Sequence, residues 1–475
     1  MASTGKAEIP PEDRIAVRDK CVVSLGNMVE VMVNWVIMGK LWLLVFNIGF
    51  GLSPAILGWL LLGFKTWDAA VDPIIGNLSD NTRTRWGRRR PYIVVFAIIT
   101  GLVSPMLWFM GSDWSEFAQY AWIVVFGLLL YTSFSLWGMP YYSFMLELTP
   151  NYDERTRLCA YRTFFSKLTI PVGGLSVFLV SLPFFGENGE SDVVNGVRHI
   201  SVLMAILIIV FGTLPGVFVK ERYYEKASSK AEKESLLKSL RKTFSCKPLW
   251  LLCGMVFFNI LGTVSIVNLG TYLNLYLIND GQLFDASKIE LWKDVTMMAV
   301  GIAALPAWVW LSEKSDKKLS MAIVLLSAFV GQWMAYYCIN PEYPYLQLIP
   351  AAFGSAITGS LWLIVPSMTA DIADYDEKHT GLRREGSLNA VFSLSVHVAF
   401  ALGAGLSGVL IDMTGFDVDL GKEQPAEVLD AMFNTYIWFP IVIWIISLVF
   451  LALYQLDRNK LKDIRAELEA RRGKL

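Results

Sequence analysis

Charge is scarce in this chain. Of its 475 residues, 17% are Asp, Glu, Lys or Arg, whereas 54% are hydrophobic; soluble domains carry about 25% charged residues. That balance excludes an ordinary soluble domain and predicts a polytopic membrane protein. Histidine is rarer still, with His199, His379 and His397 only. No HExxH, GxSxG or P-loop accompanies them, so the sequence predicts neither an enzyme nor a nucleotide-driven pump, and no cofactor. The five cysteines (Cys21, Cys159, Cys246, Cys253, Cys338) fall singly, without CxxC or Cys/His spacing. They read as small apolar residues rather than metal ligands or redox partners. Neither sign of charge dominates: 41 basic against 42 acidic residues leave a net charge of −1, which argues against a nucleic-acid partner. Met1 to Lys20 is polar and has no apolar core, so no cleaved signal peptide is expected.

What fills the chain is apolar sequence in runs long enough to cross a bilayer, which needs about 20 residues per helix. Twelve runs qualify: roughly 22–47, 54–79, 92–111, 119–148, 158–183, 198–219, 248–278, 290–312, 319–340, 345–373, 387–412 and 432–456. Basic residues concentrate in alternate connections. Arg83, Arg85 and Arg88 to Arg90 follow the second run, Arg155 and Arg157 the fourth, Lys314, Lys317 and Lys318 the eighth, and Lys378, Arg383 and Arg384 the tenth. The positive-inside rule places these loops and both termini in the cytoplasm. The expected organisation is a tail (1–20), a six-helix bundle (21–220), a Lys/Glu/Ser-rich linker (221–247), a second six-helix bundle (248–456) and a tail (457–475).

Two acids interrupt the second run, in Trp67-Asp-Ala-Ala-Val-Asp-Pro-Ile-Ile-Gly. Asp68 and Asp72 are four residues apart and share a helical face. A carboxylate at membrane depth costs roughly 2.5–3.5 kcal/mol on insertion scales. Two of them one turn apart do not both ionise easily without a cation between them. The pair therefore predicts coupling to a proton or a metal cation, with Na⁺ at Asp68 and Asp72 as the only metal reading. A structural pair neutralised by Arg162 or Lys40 is the competing explanation. Asn34, Asn259, Asn268, Asn274 and Gln332 also lie within runs, and helix–helix hydrogen bonding accounts for them as well as solute binding does.

The halves resemble each other. Tyr152-Asp-Glu-Arg-Thr-Arg follows the fourth run and Tyr375-Asp-Glu-Lys-His-Thr the tenth; Asp80 and Asp316 open the basic loops after the second and the eighth. Parallel six-plus-six repeats are a transporter pattern, with the solute site near mid-membrane. Asp80, Arg83, Arg85, Arg88, Glu147, Asp371, Asp374, Arg383 and Glu385 fall at the cytoplasmic ends and read as a gate whose ion pairs break and remake.

The stretch from Trp67 through Arg88-Arg-Arg-Pro-Tyr92, the segment Trp137-Gly-Met-Pro-Tyr-Tyr-Ser with Asp153-Glu-Arg-Thr, and Asp371-Ile-Ala-Asp-Tyr-Asp-Glu-Lys-His-Thr-Gly-Leu-Arg-Arg-Glu-Gly resemble the glycoside–pentoside–hexuronide cation symporters, the melibiose permease family, in order along both halves. The resemblance implies an all-α major facilitator fold in the cell membrane (the inner membrane in a bacterium); a monomer is expected, although the sequence itself does not give the oligomeric state. It implies uptake of a sugar or glycoside with H⁺ or Na⁺. It makes Asp68 and Asp72 the cation site, with Asp68 also touching sugar. Arg162 matches a sugar-contacting helix-five arginine, Trp362 a stacking tryptophan of helix ten, and Tyr142 an aromatic after Met-Pro. The departures are Val71 for an asparagine, Gly138 for a helix-four aspartate, His397 for a helix-eleven lysine, and no in-register helix-one aspartate, Glu30 being the nearest acid. Fewer oxygens then remain for Na⁺, with Ser135 able to supply one, and His397 titrates near neutrality. Proton coupling is thus slightly favoured. Ser393, one turn before His397, shares its face. A lipid-like cargo and a sugar sensor that does not transport are the alternatives.

Overall fold

The computed structural model describes residues 14–149, 152–186, 191–221, 246–380, 385–457 and, beyond them, 460–461, 463–464 and 466–468. The linker 222–245 and both extreme tails lie outside these residues. Among the described residues every regular element is a helix, apart from a single bridge between Thr84 and Gly87. They form two units, one of Met1–Val45 with Trp67–Glu232, the other of Phe46–Thr66 with Lys233–Leu475.

The first unit begins with α1, Val17–Gly49, which is helical five residues before the apolar run starts. It contains two π-helical stretches, Met32–Lys40 and Leu44–Gly49, a form that leaves no signature in residue spacing. Gly51 stops it at a positive φ of 75°, with its amide on Asn47 O at 2.8 Å; a side chain there would be strained. Pro54 then opens α2 (Pro54–Asn81), a position where a missing N–H costs nothing. Next come α3 (Arg90–Met106), α4 (Glu116–Leu146), α5 (Tyr152–Thr169, resuming over Pro171–Val180) and α6 (Val193–Phe218). Ser115 and Asp192 cap α4 and α6 by accepting from Ala118 N and Asn195 N, satisfying donors that a helix start leaves open.

The N-terminus of α3 is capped from far away. The Glu221 carboxylate accepts from the backbone amides of Arg88 (3.0 Å), Arg89 (2.8 Å) and Arg90 (3.3 Å). Gly87 permits this because a Cβ there would lie 2.7 Å from that carboxylate. An anion at a helix start also complements the dipole. Along α3 and α6, small residues let the backbones approach: a Cβ on Gly212 would lie 2.7 Å from Ala97 Cβ.

The chain ahead of α1 is tied to α5. Glu154, 1% exposed, accepts from Ile15 N at 2.9 Å and pairs with Lys20 at 2.5 Å. Burial would raise this carboxyl, but the Lys20 and Ile15 hydrogen bonds outweigh it and hold it below its ordinary 4.5. A depressed acid stabilises the fold fully above its unfolded value and loses that contribution as pH falls through the folded one. Glu154→Gln leaves Lys20 buried beside a neutral partner and is expected to cost about 3 kcal/mol. Thermal melts in detergent check this: the gap between wild type and variant is full above pH 4.5 and closes as pH falls below it.

The second unit follows with α7 (Lys247–Ile278, its last turns π-helical), α8 (Leu283–Lys314), α9 (Lys317–Cys338), α10 (Leu348–Thr380), α11 (Glu385–Met413) and α12 (Ala426–Leu453). Helix α8 starts seven residues ahead of its apolar run and α10 outlasts its own by seven, because polar turns carrying Asp285 and Lys288, or Asp374 and Lys378, stay helical while leaving the apolar pattern. Leu252, Val256, Met321, Leu325, Met368, Leu388 and Trp444 build one core among α7, α9, α10, α11 and α12. Two side chains inside it pair across helices: Ser447 donates to Met255 O (2.7 Å) and Trp444 to Asn259 O (3.3 Å). Gln332 and Asn268 likewise bond Tyr436 O and Ser407, so for these two the helix–helix reading holds. The first residues of this unit also need closeness. In α2, Gly58 sits against Gly405 of α11, and Gly408 against Pro54 O.

Among the described residues, eight of these helices are long and apolar enough to cross a membrane. Their outward faces carry exposed large hydrophobics such as Leu129, Val202, Trp333 and Val442, which suits contact with lipid rather than water.

Candidate functional site

The acid pair is anchored by its neighbours. Trp67 and Asp68 on α2 face Thr132 and Ser135 on α4. The Trp67 indole donates to Thr132 Oγ1 at 3.0 Å. The Ser135 hydroxyl, 3% exposed, donates to the Asp68 carboxylate and also reaches Asp72. Thr132 and Ser135 are three residues apart, so one face of α4 grips two consecutive residues of α2. The carboxylates of Asp68 and Asp72 are half-buried. This brings Asp68, Asp72 and Ser135 together in one place, as their assignment to a single cation site requires.

A second polar centre of the same unit joins α1, α4 and α5. Arg162 donates through Nε to Asn27 Oδ1 (2.7 Å) and through Nη2 to Glu30 Oε2 (3.2 Å). Its guanidinium lies 4.9 Å from the Tyr142 ring centre, a cation–π distance. Tyr142 also hydrogen-bonds Glu30. Next to it, the Tyr141 hydroxyl donates to Val23 O at 2.7 Å, and Gly26 leaves room for that ring. Asn27 is buried, but the Arg162 and Glu30 side chains keep 34% and 33% of their surface. The pair is thus reachable by a solute while fixed on three sides. Arg162 and Tyr142 were readable in the sequence; Asn27 was not, because no local spacing links residues 135 positions apart.

The remaining solute candidates belong to the second unit. Ser393 and His397 lie one turn apart on α11, both exposed. Trp362 is in α10, and its side chain is outside the described residues, as are those of Asp80 in α2 and Glu385 in α11. Arg383 is outside them altogether.

The charges near these helix ends resolve into two ion-pair locks. In the first unit Glu147, at the end of α4, takes Arg88 Nη2 at 2.5 Å and Arg89 Nη1 at 3.0 Å. Arg83 and Arg85 are exposed and stand apart from that lock. In the second unit Asp371, 1% exposed on α10, takes Lys317 Nζ at 2.5 Å. Lys317 also donates to Ser367 O. Asp374 is half-buried one turn on. Each unit therefore joins a base after its second helix to an acid near the end of its fourth, the arrangement that the internal repeat implies.

Residues 28–458 match the family described as MFS/sugar transport protein. The isoprimeverose transporter of Lactiplantibacillus pentosus is 28% identical over 88% of this chain and 85% of its own. The glucuronide carrier protein homolog of Escherichia coli is 24% identical over 92% of each chain. Among solved structures, the inward-facing, unoccupied bacterial homolog of the human lysosomal transporter Spinster superposes with a TM-score of 0.67 over 94% of this chain and 97% of its own, at 14% identity.

Proposed function

The chain belongs to the MFS/sugar transport protein family, a multi-pass membrane transporter and not an enzyme, and on that premise we propose that it is a symporter taking up a glycoside or small sugar with a proton. The observation that carries this reading is Asp68 and Asp72 held on one helical face by Ser135, in the unit that presents Arg162 and Tyr142. The relatives named for isoprimeverose and for a glucuronide support the sugar. The proton is favoured over Na⁺ because the oxygens offered beside the two carboxylates are few: Val71 and Gly138 contribute none, and Na⁺, like other hard cations, prefers several.

In this reading the chain crosses the membrane twelve times with both termini in the cytoplasm, where the basic loops are. A cation neutralises the acid pair, which raises affinity for sugar, and by linkage sugar raises affinity for the cation equally. Arg162, Tyr142, Trp362, Ser393 and His397 contact the sugar. The locks of Glu147 and Asp371 open and close as the site is exposed alternately to the two sides. These ion pairs suit such a role because they are few, specific and breakable.

The test is uptake of labelled glycosides into proteoliposomes under an imposed ΔpH or an imposed Na⁺ gradient. Accumulation driven by ΔpH alone is expected. Accumulation only with Na⁺ would overturn the proton, and none with either gradient would overturn the sugar.

A further inference from the structure

We infer that Glu30 sets the charge class of the solute, admitting neutral glycosides and rejecting sugar acids; this rests on the sugar reading above. An exposed arginine in a solute site ordinarily attracts carboxylates, which its fork matches in two places. Here one edge of the fork is already occupied. Of the five N–H donors of a guanidinium, Nε goes to Asn27 and one on Nη2 to Glu30, while Tyr142 covers a face. The charge of Arg162 is balanced inside the site by an acid at 3.2 Å, and a third of each side chain still faces outward.

What remains for a solute is a donor beside an acceptor. Three guanidinium N–H groups remain beyond those given to Asn27 and Glu30, and the Glu30 carboxylate keeps lone pairs for hydroxyl donors. A sugar hydroxyl both donates and accepts, so adjacent hydroxyls fit both members at once. A carboxylate only accepts. To reach Arg162 it must stand next to Glu30, whose like charge opposes it, or displace Glu30 and leave that acid without its partner. Discrimination then comes from a built-in repulsion as much as from attraction. Among the further bases of these helices, Lys20 is neutralised by Glu154 at 2.5 Å, and Lys40 and Lys167 do not alter the balance at Arg162. Lys40 is more than two turns along α1, and Lys167, five residues on, is turned by about 140° around α5.

The measurement compares p-nitrophenyl β-glucoside with its glucuronide, and the galactoside with its galacturonide, as inhibitors of uptake and as ligands in calorimetry. Each pair differs only at C6. Wild type is expected to prefer the neutral member by about tenfold or more, the scale of one charge-assisted contact. Glu30→Gln keeps the shape, frees the charge of Arg162 and should move the ratio toward the acid by a similar factor. Asn27→Asp should move it the other way. Because a ratio within one variant is read, a general loss of folded protein does not shift it. A uronide preference in wild type, or an unchanged ratio in Glu30→Gln, overturns the inference while leaving sugar transport intact. Failure of all four compounds to bind, when neutral lipid-like solutes do, overturns the sugar reading and this one with it.

Discussion

Asp72→Asn is expected to abolish concentrative uptake, bringing the accumulation ratio in proteoliposomes from its gradient-driven value to about one, while sugar exchange across the membrane continues. Asparagine keeps the size of the side chain and its place on the face shared with Asp68. It can neither ionise nor hold a proton, so the link between cation and solute is lost but the solute path is not. Expression should not suffer. A carboxylate at membrane depth costs roughly 2.5–3.5 kcal/mol on insertion scales, and asparagine removes that cost. This separation of energetic cost from transport is what identifies a coupling group. A structural acid pair would show the opposite result, unaltered accumulation with less folded protein. Undiminished accumulation in Asp72→Asn would therefore take the residue out of the coupling role.

Gly408→Leu is expected to remove most of the folded protein. A Cβ at Gly408 would press on Pro54 O, lie 3.0 Å from the carbonyl carbon of Pro54 and 3.1 Å from Gly58 Cα. These are backbone atoms that cannot rotate away. At Gly58 the same space is claimed in reverse, against Gly405 O. Overpacking against side chains costs about 1–3 kcal/mol, and against two backbones it should exceed that range. Membrane helices lack a hydrophobic drive toward one another and depend on such closeness. Gly63, on the same α2, is the control: it is exposed and has nothing within 4 Å of a Cβ. Gly63→Leu should elute and melt like wild type, whereas Gly408→Leu should aggregate on size exclusion. Equal behaviour of the two would mean that the contact carries no stability.

How much of this was legible beforehand depends on how far apart the partners are. Asp68 and Asp72 announce themselves because four residues of spacing define a face. The small residues of Ala401–Gly408 are the pattern of a close-approach surface, which Gly405 and Gly408 form against α2. Arg162 and Tyr142 came through resemblance to a family. Their grip on Asn27 and Glu30 did not, since pairing across more than 110 residues is decided by packing. Lys317 was visible as a loop base and Asp371 as an acid near the end of α10, yet only the fold joins them. Nor do apolar runs mark helix ends: α8 and α10 extend past theirs, because a polar turn satisfies its backbone as well as an apolar one. The π-helical turns of α1 left no trace at all.

The three backbone amides on Glu221 have a consequence for handling the chain. Residue 221 is where the first unit passes into the linker, and it is fastened to the start of α3. That unit thus has its own closing stitch, made at the first residue of the linker. A cut or an inserted reporter domain placed after residue 221 leaves the stitch whole, so the connecting segment is the natural seam at which to divide this polypeptide into two co-expressed pieces.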